Sequence, residues 1–145
     1  MKFGIVSVGY EGRDLADFVD LLVAYQVGTL ADVRLNAISR RVGFSKTRLA
    51  HALGDAGIEY VHLRCLGNPK ENRERFRKGP LEEGIAHFRQ VLGSAEAEQA
   101  LSDLGSKASS GIVGVMCFEA DHRHCHRDVV VADLLSRVDV KAVHI

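Results

Sequence analysis

Apolar positions along the chain fall alternately into short runs and helical stripes. Phe3–Val8 is a compact apolar run closed by Gly9, the composition of a strand. Between Arg13 and Tyr25, Leu15, Phe18, Val19, Leu22 and Val23 recur at helical spacing and leave one apolar stripe on a polar helix. Thr29–Val33 predicts a second strand. After an Arg- and Gly-rich loop over Arg34–Phe44, Ser45 is placed to cap a helix reaching Ala56, with Gly57 suited to the left-handed residue past its end. Ile58–Leu63 reads as a third strand. Arg64–Pro80 is polar and turns at Gly67-Asn68-Pro69, a length of connection that is often functional or mobile. Leu81–Leu104 carries helical spacing with a break expected at Gly93-Ser94. Gly111–Phe118 is nearly all apolar, as a parallel strand buried on both faces should be. Asp128–Arg137 predicts a helix and Lys141–Ile145 a last strand.

Strands alternating with helices imply a three-layer α/β/α domain over residues 1–145, with a mostly parallel five-stranded sheet and right-handed crossovers. The order 3-2-1-4-5 is expected because it sets the loops after strands one, two and four side by side. Ligands of such sheets bind beyond the carboxyl ends of the strands, where the strand order reverses.

Composition narrows the class. Of 145 residues, 46% are hydrophobic and 26% charged, the balance of a folded globular chain rather than a disordered one. No apolar run nears the roughly 20 residues that span a bilayer, and the first residues lack the layout of a signal peptide, so no membrane association is expected. Three cysteines are too few and too odd in number for a disulfide framework, which favours a reduced, cytoplasmic setting. The net charge is zero, yet Asp32–Lys78 holds eleven Lys/Arg against five Asp/Glu. One basic face suggests an anionic partner, either a small molecule or a nucleic acid.

The densest chemistry lies in Cys117-Phe118-Glu119-Ala120-Asp121-His122-Arg123-His124-Cys125-His126-Arg127, between a buried strand and a helix. A helix start carries free N–H groups and a partial positive charge, and so favours an anion. On one reading this is an anion-binding catalytic site. Glu119 is then a general acid or base, His126 a second proton-transfer group, Arg127 an anchor and Cys125 a nucleophile with a lowered pKa. On a second reading, Cys117, Cys125 and one or two of His122, His124 and His126 hold zinc, although no Cys-x-x-Cys pair supports it. On a third, Cys117 is a small core residue, Glu119 pairs with an arginine and the histidines are surface groups. Gly9-Tyr10-Glu11-Gly12-Arg13 could bring backbone close to a phosphate, without the spacing of a dinucleotide or Walker loop. Arg34 ends a buried strand, where a charge is either paired, with Asp32 or Glu119, or used on a substrate. Arg40, Arg41, Lys46 and Arg48 could follow a nucleic-acid backbone, with only Phe44 nearby to stack a base.

Taken together, Gly9-Tyr10-Glu11-Gly12-Arg13, Asp32-Val33-Arg34, Ser39-Arg40 with Gly43-Phe44-Ser45, Tyr60-Val61-His62-Leu63 with Leu66-Gly67, and Cys117-Phe118-Glu119 with Cys125-His126-Arg127 resemble the domain-of-unknown-function family 488. The resemblance implies a compact α/β domain of bacterial and archaeal cells and assigns no reaction. It also implies a shortlist of motif positions: Tyr10, Glu11, Arg34, His62, Glu119, Cys125, His126 and Arg127. Many members carry prolines in the loop after the second strand, where this chain has Ala37 and Val42.

Overall fold

The computed structural model describes residues 2–145. Five strands form one parallel sheet: β1 (Lys2–Gly9), β2 (Thr29–Asp32), β3 (Glu59–His62), β4 (Val113–Cys117) and β5 (Val140–His144). Six α-helices connect them: α1 (Leu15–Ala24), α2 (Lys46–Asp55), α3 (Arg73–Arg77), α4 (Leu81–Val91), α5 (Ala95–Ser110) and α6 (Arg127–Arg137). Local sequence explains the helix ends. The Asp14 carboxylate accepts the Asp17 N–H at 2.8 Å to start α1, and the Ser94 hydroxyl accepts the Ala97 N–H at 3.1 Å to start α5. Gly57 takes φ 78° just past Ala56, the C-cap of α2. The polar stretch Arg64–Pro80 is built from two 3₁₀ turns and the short α3 rather than from open loop.

The strand order is β3-β2-β4-β1-β5, which corrects the expected 3-2-1-4-5 by exchanging β1 and β4. Both are apolar strands of the sheet interior, so composition does not distinguish their places. All five residues of β4 are buried, whereas edge strand β5 has only Val140 buried among its five. The observed order still puts the loops after β2, β4 and β1 side by side.

The two sheet faces carry separate apolar layers, as alternation along a strand requires. On one face Val6, Val8, Leu30 and Met116 pack with Phe18 and Leu22 of α1 and Leu49 and Leu53 of α2. On the other, Ile5, Ala31, Val113 and Val115 pack with Phe88 of α4, Leu101 and Leu104 of α5, and Val130 and Leu134 of α6. The chain leaves β1 over the first face and β4 over the second. These neighbouring strands therefore open a crevice between them at their carboxyl ends. No helix among the described residues is long and apolar enough to cross a membrane.

Candidate functional site

At that crevice lies a cleft of about 130 Å³, lined by residues that follow β1, β2 and β4 and by α3. Tyr10, Arg34, Cys117, Glu119, Cys125 and His126 all border it. Six positions spread over more than a hundred residues of sequence thus converge on one place.

One wall is an ion-pair network. Arg34 donates from Nε and Nη2 to the two Asp32 oxygens at 2.9 and 2.7 Å, the two-pronged geometry that suits guanidinium to carboxylate. Its Nη1 donates to the Phe44 carbonyl at 2.7 Å and to the Tyr10 hydroxyl at 3.3 Å. The Tyr60 hydroxyl donates to Asp32 Oδ2 at 2.5 Å. Burial opposes the Arg34 charge, but the bonds and charge of Asp32 outweigh it and raise the Arg34 pKa. Burial, followed by the Asp32 hydrogen bond, pushes the Tyr60 hydroxyl well above the ordinary phenol range. Tyr10 stacks on Phe44 with ring centroids 4.5 Å apart. Phe44 is fully buried, so it is a core residue and not a platform for a base.

A second set of contacts stitches the loops after β1 and β4 together. Tyr10 and Glu11 donate their N–H groups to the carbonyls of Cys117 and Phe118, and the Glu11 carboxylate accepts the Ala120 N–H at 2.9 Å. Gly9 is required here because a Cβ at that position would lie 1.9 Å from the Glu119 carbonyl oxygen. The close approach expected of this loop is therefore to the chain itself. Arg127 is fully buried and completes the stitch from below: Nε donates to Ser7 Oγ at 2.9 Å, Nη1 to the Glu119 carbonyl at 2.6 Å and Nη2 to that of Ala120 at 3.4 Å. Arg127 clamps the loop and does not line the cleft. His62 lies outside the cleft as well, its Nε2 2.9 Å from the Arg34 carbonyl.

The cleft floor is formed by Cys117, Cys125 and His126, all buried. His126 Nε2 lies 2.7 Å from the Val33 carbonyl, a bond only an N–H can make, so Nδ1 faces the sulfurs of Cys117 at 3.9 Å and Cys125 at 3.8 Å. The expectation of a lowered Cys125 pKa is overturned. Burial away from solvent, reinforced by the neighbouring Cys117 thiol, raises it well above the ordinary thiol value. The three side chains place one donor atom each within 4.8 Å of the others, a geometry that can hold a metal ion. His122, Asp128 and His144 form a second such group on the surface. His124 joins neither group; its Nδ1 is 3.2 Å from the Phe76 carbonyl, which docks α3 onto this loop.

Arg73 and Arg77 of α3 border the cleft, and Arg77 Nη2 reaches Glu119 Oε1 at 3.3 Å. The loop before α3 is braced by buried Asn72, whose Nδ2 donates to Asn68 Oδ1 at 2.9 Å and to the Gly84 carbonyl at 3.0 Å. Asn68 is visible in the sequence only as part of a turn, and Asn72 carries no sequence signal. For Arg73 and Arg77 the one signal is the basic excess over Asp32–Lys78. The family description "Domain of unknown function DUF488" matches residues 14–135, a span that runs from the start of α1 into α6. No curated protein and no solved structure matches the chain. The motif residues at the crevice and the extent of this match give the same answer: the chain belongs to the DUF488 family.

Proposed function

We propose that the protein is an enzyme acting on a phosphate- or carboxylate-bearing substrate in the cleft at the carboxyl ends of β1, β2 and β4. The observation that carries this reading is Arg73, Arg77 and Glu119 bordering one concave site with a buried sulfur and imidazole floor. Arg34 and Arg127 have protein partners for their guanidinium groups, so the anion-holding role falls to Arg73 and Arg77. An incoming anion competes with Glu119 for Arg77, since one guanidinium cannot serve both fully. Displacement frees the Glu119 carboxylate to accept a proton beside the bound group, which the resulting carboxylic acid can then return.

Calorimetric titration with inorganic phosphate, acetate and nucleoside phosphates tests this. Arg73→Ala with Arg77→Ala should weaken binding of the preferred anion at least about tenfold, a change worth roughly 1.4 kcal/mol. Glu119→Gln should keep binding and lose turnover. Parental affinity in the double variant overturns the reading. Nucleic acid is the second candidate substrate, favoured by one feature. Ile38 borders both the cleft and an adjoining groove lined by Arg40, Arg41, Lys46 and Arg48. Backbone binding there should weaken steeply with added salt, whereas binding confined to the cleft should not.

A further inference from the structure

We infer that Cys117, Cys125 and His126 form a site for a zinc-class divalent cation whose fourth coordination position opens into the cleft. Two thiolates and an imidazole are the donor set that a borderline-soft cation selects, and three protein ligands with one open position is the arrangement of catalytic zinc. Zinc–sulfur and zinc–nitrogen bonds of roughly 2.3 and 2.0–2.1 Å at tetrahedral angles set sulfur and nitrogen about 3.6 Å apart. The two Sγ···Nδ1 separations are 3.9 and 3.8 Å, within a few tenths of an ångström of that spacing. The imidazole is already oriented for the task. Its Nε2 is tied to the Val33 carbonyl at 2.7 Å, as metal-bound histidines are tied through their second nitrogen.

Buried cysteines are commonly inert filling, and each of these alone would be read that way. Three features set the group apart. Both sulfurs share one imidazole nitrogen, all three residues border a cleft open to solvent, and their loop is held by the Arg127 clamp. Cys117 ends β4, while Cys125 and His126 immediately precede α6, so a cation here joins strand, loop and helix. The exposed alternative, His122 with Asp128 and His144, is less suited. Its two imidazoles stack face to face at 3.6 Å, so their in-plane lone pairs run parallel instead of converging. The metal site stands on its own geometry. Only the role of its open position, holding a water or a substrate oxygen beside Glu119, rests on the cleft reading above.

Binding converts two thiols to thiolates, so each cation taken up releases about two protons. The test uses the reduced, metal-free full chain titrated with cobalt(II), then with zinc(II). One equivalent of cobalt should bring sulfur-to-cobalt charge-transfer absorption and the intense visible bands of a tetrahedral ion. One equivalent of zinc should abolish them. Cys125→Ala should weaken uptake at least about 100-fold, beyond the loss expected for a supporting residue, while Cys65→Ser and His144→Ala should not change it. Absence of thiolate charge transfer in the parent protein overturns the inference whether or not the variants fold. Cobalt bound without that band, and lost in His144→Ala, assigns the metal to the surface group and overturns it equally. Phosphate affinity measured on the same zinc-free protein separates this outcome from failure of the anion reading.

Discussion

On the sheet face covered by α1 and α2, Asp32, Arg34, Tyr10 and Tyr60 form a network in which every charge has a partner. On the opposite face, Cys117, Cys125 and His126 bring three soft donors together around one imidazole nitrogen. The two assemblies meet at the same cleft and, half-buried Tyr60 apart, their members are buried. The first is saturated: two carboxylate oxygens meet two guanidinium nitrogens, and the remaining donors find a carbonyl and a hydroxyl. The second converges without being saturated, since a single Nδ1 is shared between two sulfurs. Saturation is what a supporting wall needs. Convergence with capacity to spare is what a ligand needs.

The largest effect expected from breaking this contrast is on the saturated side. Asp32→Ala leaves Arg34 charged and unpaired in the interior, and urea unfolding should show a loss of about 3–5 kcal/mol. Combining it with Arg34→Met should recover much of that loss, because the orphaned charge is the costly element. A double variant as unstable as the single would mean the network does more than neutralise a charge. Next in size is the junction between the two assemblies. Gly9→Ala drives a methyl group against the Glu119 carbonyl, and strain of about 1–3 kcal/mol should appear as a lowered unfolding midpoint.

Smaller, and more diagnostic, is the response to pH. Tyr60 is held protonated by burial and by Asp32, so its folded pKa exceeds its unfolded one. The sign follows: that contribution is complete below the unfolded phenol pKa of about 10 and is lost as pH climbs above it. Ultraviolet titration should show late ionisation of Tyr60, and Tyr60→Phe should remove that step. On the converging side the reduced, metal-free protein should react with a thiol reagent once quickly, at half-buried Cys65, and twice slowly. Fast labelling of Cys125 would place it at the surface and erase the contrast.

Much of this was legible in the sequence. The five strands and every helix but α3 followed from periodicity, and the expected break at Gly93-Ser94 coincides with the Ser94 cap of α5. Of the motif residues, Tyr10, Arg34, Glu119, Cys125 and His126 meet at the cleft as the parallel topology allows, whereas Glu11, His62 and Arg127 do not line it. Three things were hidden for physical reasons. Interchanging two interior apolar strands leaves their hydrophobic patterns unchanged, so β1 and β4 could not be ordered. Arg34 and Arg127 looked like anchors because sequence shows a charge but not its partner; Asp32 was visible as one candidate, whereas the carbonyls of Glu119 and Ala120 carry no side-chain signal. The Cys125 thiol was expected to ionise easily next to a helix start, but burial, reinforced by Cys117, outweighs the lowering influence of His126. Arg73 and Arg77 went unnoticed inside a stretch that read as connection, since a five-residue helix leaves no clear periodicity.

The place of β4 between β2 and β1 has a consequence for how the chain reaches its folded state. As the chain is synthesised, β1, β2 and β3 emerge first, yet β1 and β2 share no ladder and must await a strand about eighty residues after β2. Until residues 113–117 arrive, two apolar strands have open edges that could pair with another chain. Closure then comes through contacts of long sequence separation, which form slowly and leave the unfinished chain prone to aggregation. The strand that ends in Cys117 therefore serves as the keystone of assembly as well as the floor of the cleft.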